Sequence, residues 1–374
     1  MTQTPVAPAV APLFTPFKLN GLTLPNRIVM APMTRSHSPD GVPGDDVAAY
    51  YRRRAEGGVG LIVTEGAWIP HPAAGNDPNV PQFYGDDALI GWAKVVEEVH
   101  AAGGRIFPQL WHVGGIRRAE NGPNEGVPPA SPSGLFKPGK QIGAPMTIEE
   151  AENVIDAFAT AASTAHRLGF DGIELHGAHG YLIDQFFWAG TNLRTDRFGG
   201  DLVARTRFAV EIIKECRKRT AYNFPIVLRF SQWKQQDYAA KLAETPDELA
   251  AFLAPLVAAG VDGFHCSTRR FWEPEFAGSD MNLAGWTKKL SGKPAITVGS
   301  VSLDQDFFTS LAGKPAERTT ADLGRLVEML ARGDFDLVAV GRALLQDPNW
   351  VQKVRAGQLD QLAPFDPAVL KVLT

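Results

Sequence analysis

Short apolar runs alternate with longer amphipathic segments along most of this chain. From Arg27 onward, a β-branched run is followed by a polar or glycine turn and then by a helical pattern, and this unit recurs eight times. The runs are continuous rather than alternating, which is typical of strands that are buried on both faces of a parallel sheet. The predicted strands lie at 28–34, 60–66, 105–112, 172–176, 225–231, 263–268, 295–300 and 336–342.

Eight strand–helix units in one series predict an α/β fold, a closed (β/α)8 TIM barrel. A doubly wound open sheet is the competing architecture, but it more often carries a G-x-G-x-x-G turn after its first strand, and the chain contains none. Two turn signals within 13–25 predict an N-terminal β-hairpin, and a Pro- and Gly-rich insertion follows strand three. We therefore expect a single domain over 13–374, preceded by a flexible tail over 1–12.

Composition narrows the class of protein. With 374 residues and 44% hydrophobic content, the chain can bury a large core. A formal net charge of −4 gives no electrostatic case for nucleic acid or an anionic membrane as a partner. The two cysteines, Cys216 and Cys266, are too few for a disulfide framework or an iron–sulfur cluster. Without a basic leader or an apolar run of roughly 18 residues, the chain is expected to be soluble and cytoplasmic.

Two imidazoles and a phenol follow the fourth predicted strand. His176, His179 and Tyr181 lie within six residues of one another. Because barrel chemistry sits at the carboxyl ends of the strands, these rings are candidates for polarising a carbonyl and donating a proton. The alternatives are hydrogen-bonded core histidines or a metal site. No metal is expected, because the first and last strands end in Thr34 and Arg342 rather than in further ligands.

A glycine followed by a polar residue ends both the seventh and the eighth strand, as Gly299-Ser300 and Gly341-Arg342. In such barrels this position commonly binds a phosphate through backbone N–H groups, and an arginine adds a guanidinium suited to bidentate contact. For either glycine alone, an ordinary tight turn is the favoured explanation. The two together, with the arginine, favour a phosphate site.

Three other strand ends carry side chains that match a ring with both donors and acceptors. Arg229 closes a buried run and requires a partner, either a structural ion pair or a ligand group that becomes anionic. Gln109 could pair with the ring, and Thr34 could donate to a ring carbonyl. Cys266 is interpreted as an inert packed thiol, and Glu65 as a structural group that bonds backbone near a strand end.

The chain resembles the Old Yellow Enzyme family of FMN-dependent ene-reductases, from Leu13 to about Trp350. The resemblance rests on motifs that are weak singly and specific together: LPNR at 24–27 with APMT at 31–34, TEG at 64–66, QLWH at 109–112, HGAHGYL at 176–182, DRFGG at 196–200 and VGR at 340–342. The family's thermophilic-like branch usually has Cys where Thr34 stands, so this chain looks closer to the classical branch.

The resemblance implies non-covalent FMN as the cofactor and NAD(P)H as the reductant. The residues implied to contact the flavin are Pro32, Met33, Thr34, Gly66, Gln109 and Arg229 at the ring system, and Gly299, Ser300, Gly341 and Arg342 at the phosphate. The implied substrates are small activated alkenes or nitro compounds (enones, enals, maleimides, nitroalkenes), and the implied assembly is a monomer or a homodimer.

The same resemblance implies the catalytic roles. His176 and His179 would bind the electron-withdrawing oxygen of the substrate, flavin N5 would deliver a hydride, and Tyr181 would donate the proton. Trp111 would line the substrate pocket. Family members often place a tyrosine from the C-terminal region over the site, a residue that this chain lacks. Phe271, with the neighbouring Trp272, is expected to form that wall of the substrate site.

Two alternatives remain at this point. A flavin-free phosphosugar isomerase on the same barrel would use the phosphate site for its substrate and would be colourless. A non-catalytic flavin-binding module would be coloured, but an enone would not reoxidise it after reduction by NADPH.

Overall fold

The computed structural model describes residues 5–118, 123–303 and 321–374. In chain order, the strands of this part of the chain are β1 (Phe17–Leu19), β2 (Leu22–Leu24), β3 (Ile28–Met30), β4 (Leu61–Trp68), β5 (Ile106–Trp111), β6 (Leu135–Lys137), β7 (Lys140–Gln141), β8 (Ile173–His179), β9 (Ile226–Lys234), β10 (Gly263–Ser267), β11 (Ala295–Val298) and β12 (Leu337–Val340). Eight of them form a closed parallel barrel in the order β3-β4-β5-β8-β9-β10-β11-β12, with β12 paired to β3. The predicted (β/α)8 TIM barrel is confirmed.

Helices surround the barrel and cover the outer face of its strands. They are α1 (Asp45–Glu56), α2 (Asp86–Ala101), α3 (Ile148–Arg167), α4 (Leu182–Phe187), α5 (Arg207–Lys218), α6 (Pro246–Ala258), α7 (Leu283–Ser291), α8 (Ala321–Arg332), α9 (Arg342–Gln346) and α10 (Trp350–Arg355). The Thr147 hydroxyl accepts from the backbone N–H of Glu150 at 3.0 Å, while the Glu150 carboxylate accepts from the N–H of Thr147. Within the described ranges, none of the helices combines the length and apolar character needed to cross a membrane.

The lower half of the barrel interior is apolar and closed by the N-terminal hairpin. Because side chains alternate along a strand, every second residue points inward. The inward set contains Val29, Leu61, Phe107 and Leu337, and it packs in one cluster with Leu19 and Leu24 of the hairpin β1–β2. The predicted hairpin therefore exists and closes the amino-terminal end of the barrel.

The upper half of the interior is polar on β5, β8, β9 and β10. Inward positions there hold Gln109, Glu174, His176, Arg229 and His265, all buried. Strand pairing places Gln109 opposite Glu174, His176 opposite Arg229, and Arg229 opposite His265. Buried polar groups must find partners, so this layer marks the end of the barrel at which a ligand would bind.

Several features differ from the sequence prediction, among them the ends of β3 and β8, which lie at Met30 and His179. The expected tail over 1–12 is corrected from Pro8 onward, because Pro8–Phe14 form a 3₁₀ helix whose apolar Val10 and Leu13 are buried; residues 1–4 lie outside the described part. Strand β9 runs to Lys234, three residues beyond the predicted end. The short helix α4 follows β8, an element that the sequence analysis did not predict.

Candidate active site

A cavity of about 360 Å³ opens at the carboxyl ends of the barrel strands. Its size falls in the range of small-molecule and cofactor sites. The residues predicted from the sequence that line it are Pro32, Met33, Thr34, Gln109, Trp111, His176, His179, Tyr181, Arg229, Gly299, Ser300, Gly341 and Arg342. The barrel therefore brings side chains from six of its strand ends to one place.

The rings of His176, His179 and Tyr181, at the end of β8, face one another. His176 points inward from β8, and a register shift between Gly177 and His179 adds the second imidazole at the strand end. The ring centroids of His176 and His179 lie 5.2 Å apart, and those of His176 and Tyr181 lie 4.8 Å apart, both in edge-to-face orientation. Trp111 packs edge-on against Tyr181 at 4.7 Å. The arrangement holds two imidazoles and a phenol around one small volume.

Burial sets the protonation of these rings. Desolvation, reinforced by the nearby Arg229 charge, holds the pKa of His176 and of His179 well below the usual value, so both imidazoles are neutral at pH 7. Burial raises the pKa of Tyr181, so the phenol keeps its proton. The site thus presents neutral hydrogen-bond donors together with a protonated acid.

The tautomers of the imidazoles follow from their partners. The N–H of Ala178 lies 3.4 Å from Nδ1 of His176, which makes that nitrogen the acceptor and leaves Nε2–H to donate. Nε2 of His179 lies 2.7 Å from Oγ of Ser267, and the same oxygen accepts from Nη2 of Arg229 at 3.3 Å. The hydroxyl can donate to Nε2 while it accepts from the guanidinium, so we assign its hydrogen to Nε2, which leaves Nδ1–H of His179 as a donor.

A buried charge network lies directly below the rings. Oε1 of Glu174 accepts from Nε2 of Gln109 at 2.8 Å, and Oε2 lies 2.7 Å from Nδ1 of His265. Burial alone would raise the pKa of Glu174, but His265, Arg229 and Gln109 hold it below the usual value. Nε of Arg229 is buried with no hydrogen-bond partner among the described residues. That unpaired donor lies beside the cavity, where a ligand acceptor could satisfy it.

The ends of β11 and β12 form a cradle in which backbone approaches closely. Gly299 has φ 143°, and a Cβ there would lie 2.8 Å from the carbonyl oxygen of Thr268, so the position requires glycine. Arg342 donates through Nη2 to Oγ of Ser300 at 3.2 Å, which fixes the guanidinium at the cavity wall. A Cβ at Gly341 would approach Sδ of Met33 to 3.3 Å. This cradle combines an arginine and a hydroxyl, which suits an anionic group.

Two predicted site residues do not line the cavity. Gly66 lies in β4 behind Trp111, where any Cβ would collide with the indole, so its role here is to allow that close packing. Phe271 is fully buried, packs edge-on against Trp272 at 5.1 Å and lies outside the cavity wall. The prediction that Phe271 forms the substrate wall is therefore wrong, because the chain after β10 turns this ring into the core.

The wall is formed instead by residues that the sequence analysis missed. Trp233 stacks on His179 with centroids 4.6 Å apart, and Leu370 approaches from the C-terminal segment. Ser267 lines the cavity between Arg229 and His179. Period-two alternation could have found Ser267: His265 faces inward, so Ser267 does too, while Cys266 faces the core. Trp233 gave no such signal, because it lies beyond the predicted end of its strand.

Two interpretations of individual residues are confirmed. Cys266 is buried, and burial raises the pKa of its thiol to about 12, so it is inert at neutral pH. Glu65 accepts from the backbone N–H groups of Arg35 and Ser36 at 2.8 and 3.3 Å, the structural role expected of it. In the described residues, no three His, Cys, Asp or Glu side chains are grouped closely enough to hold a metal ion.

Comparison with known proteins places this architecture among flavin enzymes. The sequence pattern of the NADH:flavin oxidoreductase / NADH oxidase family matches residues 12–361. The chain is 35% identical over 362 residues to an NADH oxidase of Thermoanaerobacter brockii, with 94% of this chain and 52% of that protein covered. It therefore spans about half the length of that relative.

Two further similarities cover nearly the whole of both partners. The chain is 41% identical over 349 residues to 12-oxophytodienoate reductase 1 of Oryza sativa subsp. japonica, covering 92% of this chain and 86% of the reductase. It superposes on morphinone reductase in complex with tetrahydroNAD with a TM-score of 0.80 at 28% identity, covering 96% and 93% of the two chains.

Proposed function

Because the chain belongs to the NADH:flavin oxidoreductase / NADH oxidase family, which includes the Old Yellow Enzymes, we propose that it is an FMN-dependent ene-reductase that uses NAD(P)H to reduce activated C=C bonds. The proposed substrates are enones, enals, maleimides and nitroalkenes. The observation that carries the proposal is the convergence of His176, His179 and Tyr181 on the cavity that also contains Arg229 and the Gly299–Arg342 cradle.

The cavity residues fit FMN. The cradle of Gly299, Ser300, Gly341 and Arg342 would hold the phosphate through backbone N–H groups and one guanidinium. The unpaired Nε of Arg229 would donate to the ring edge that becomes negative on reduction. Thr34, Gln109 and the segment Pro32–Met33 would contact the remaining polar edge and one face. When bound, FMN supplies the hydride that reduces the double bond, after its own reduction by NAD(P)H.

The protein groups bind and polarise the substrate. Nε2–H of His176 and Nδ1–H of His179 donate to the carbonyl or nitro oxygen, which withdraws electron density from the conjugated double bond. Their low pKa values keep both rings neutral, so they act as fixed hydrogen-bond donors rather than as proton sources. The nicotinamide of NAD(P)H would enter the same cavity.

Tyr181 delivers the proton. Its pKa is raised by burial, so the phenol is protonated at neutral pH and acidic enough only toward a strong base such as the carbanion that hydride addition leaves at the α-carbon. Trp111 and Trp233 flank the reacting volume, packed against Tyr181 and His179 respectively. We further predict that the protein is located in the cytoplasm and that it is a monomer or a homodimer.

Absorbance spectroscopy under anaerobic conditions tests the proposal. Acid-precipitated protein should release FMN into the supernatant, and the purified protein should be bleached by NADPH or NADH. Addition of 2-cyclohexenone should then restore the oxidised spectrum with formation of cyclohexanone. A colourless protein, expressed with ample riboflavin, would indicate the isomerase alternative. A bleached protein that an enone or a nitroalkene does not reoxidise would indicate a flavin module without ene-reductase activity.

A further inference from the structure

The turn that carries His179 and Tyr181 has an unusual backbone. His179 has φ 65° and Gly180 has φ 78°, so two successive residues occupy the left-handed region. For a non-glycine residue this conformation is strained, and it persists only where the surroundings hold it. The oxygen-binding imidazole and the proton donor therefore lie on a turn that requires external support.

One support is a fully buried ion pair. Oδ2 of Asp184, in α4, accepts from the N–H of Gly180 at 2.7 Å, while Oδ1 accepts from Nζ of Lys234 at 2.6 Å. Both side chains are 0% exposed. Two charges buried in this way seldom increase stability, because their desolvation offsets their attraction. The pair holds the N–H of Gly180 in one position, which fixes the peptide between His179 and Gly180.

The two residues after Lys234 hold the other side of the turn. Nε2 of Gln236 donates to the carbonyl oxygen of Gly180 at 2.8 Å, beside a bond to the same oxygen from Gln185. The N–H of Gln235 donates to the carbonyl oxygen of His179 at 3.3 Å. Burial raises the pKa of the Tyr181 phenol, and the nearby Gln235 side chain lowers it.

We propose that Lys234, Gln235 and Gln236, named here the β9 clamp, are positioning residues that hold His179 and Tyr181 in catalytic geometry. This proposal rests on the ene-reductase function proposed above. The clamp exists because β9 continues beyond the barrel wall, so that Lys234 pairs in register with His179. Displacement of a catalytic group by about 1 Å can reduce a rate about 100-fold, so a turn that must stay left-handed benefits from contacts on both sides.

Single-residue variants separate the contacts of the clamp. Gln235→Leu removes the side-chain amide near Tyr181 and should slow oxidation of the reduced enzyme by an enone about 3- to 10-fold, while the Kd of a para-substituted phenol bound in the cavity stays unchanged. Gln236→Ala removes the bond to the carbonyl oxygen of Gly180 and so loosens the turn that carries both His179 and Tyr181. It should slow enone oxidation and also weaken binding of the phenol ligand, each by about 3- to 10-fold. Gln352→Ala is the matched control, since Gln352 donates to a carbonyl oxygen at the same 2.8 Å on a remote surface.

The ion pair is tested in a form that still folds. Lys234→Met alone would leave the Asp184 carboxylate buried without its positive partner. The double variant Lys234→Met/Asp184→Asn is therefore used, in which a neutral amide oxygen still accepts from the N–H of Gly180. We expect an FMN content equal to that of the wild type, with enone oxidation slower by at least about 10-fold. The measurements are stopped-flow oxidation per bound FMN, the phenol Kd and the Tm.

The outcomes separate the clamp from the proposed function. If the variants lower the Tm while enone oxidation per FMN and phenol Kd match the wild type, the three residues are structural only and the clamp is refuted. If the wild-type enzyme itself fails to be oxidised by any enone or nitroalkene, the ene-reductase function fails first. Slower oxidation in the clamp variants, with Gln352→Ala at the wild-type rate, supports the proposal.

Discussion

The hydroxyl of Ser267 lies 2.7 Å from Nε2 of His179, although the two residues come from strands that are not neighbours in the barrel. Arg229, on the strand between them, donates to the same hydroxyl oxygen at 3.3 Å. The relationship connects the guanidinium that would face the cofactor with the imidazole that would face the substrate. It also occupies Nε2 of His179, so that Nδ1 is the nitrogen we assign as the donor to a ligand.

Ser267→Ala tests this connection. Without the hydroxyl, His179 loses the partner that fixes its tautomer, and we expect the Kd of a para-substituted phenol to rise about 3- to 10-fold, the effect of one net hydrogen bond. Thr297→Val is the control, because it removes a buried hydroxyl that binds Asn282 on the outer side of the barrel. It should lower the Tm without changing phenol binding. Equal phenol affinity in Ser267→Ala and the wild type would show that the serine does not orient His179.

Arg342→Ala should weaken FMN binding. A charge-assisted contact to a phosphate contributes roughly 1.5–3 kcal/mol, which corresponds to about a 10- to 150-fold rise in Kd. The measurement is a titration of the apoprotein with FMN, in which quenching of the flavin fluorescence reports binding. Arg332→Ala, which removes an exposed guanidinium paired with Asp334 and Asp280, serves as the control. A Kd unchanged in Arg342→Ala would place the phosphate elsewhere.

Thr34→Ala should change the two half-reactions in opposite directions. Thr34 lines the cavity, where its hydroxyl would donate to a ring carbonyl and stabilise the electron-rich form of the flavin. Its loss should slow reduction by NADPH, while oxidation by an enone holds or becomes faster. Thr15→Ala is the control, because it removes a threonine hydroxyl in the N-terminal segment that donates to the carbonyl oxygen of Pro12. An unchanged rate of reduction would make Thr34 an ordinary exposed residue after the strand.

Trp233→Ala should widen the substrate range. The indole stacks on His179 and forms the wall that the sequence analysis assigned to Phe271 and Trp272. We expect the ratio of kcat/KM for a bulky ring-substituted enone to that for 2-cyclohexenone to rise about 10-fold, the scale of a steric change in an apolar pocket. Trp272→Ala should leave the ratio unchanged. A shift of the ratio in Trp272→Ala alone would restore the original assignment of the wall.

These residues show where sequence reasoning succeeds and where it stops. The continuous apolar runs predict the barrel, and the barrel rule then places Thr34, His176 and Arg229 at one end, because parallel strands share a direction. Trp233 could not be predicted, since it depends on how far one strand extends beyond the barrel. Phe271 was misplaced because a loop of aromatic residues contains no signal for which ring turns inward.

The buried ion-pair partners of Glu174 and Lys234 could not be predicted from the sequence either. Glu174 and Lys234 each appear as single charges within apolar or polar stretches, and only tertiary structure pairs Glu174 with His265 and Lys234 with Asp184. Pairing of this kind links residues that are tens of positions apart in the sequence, so it leaves no local periodic signal.

The most direct test of the central claim is stopped-flow oxidation of reduced Tyr181→Phe by an enone and by a nitroalkene. The variant keeps the ring that packs on Trp111 and loses only the acid, so reduction by NADPH and phenol binding should persist. Enone oxidation should fall about 100-fold or more, while nitroalkene oxidation falls much less, because a nitronate can leave without a proton. Tyr222→Phe, at an exposed phenol remote from the cavity, should behave as the wild type. If Tyr181→Phe is oxidised by the enone at the wild-type rate, the proton comes from another source and the assigned role of Tyr181 is wrong.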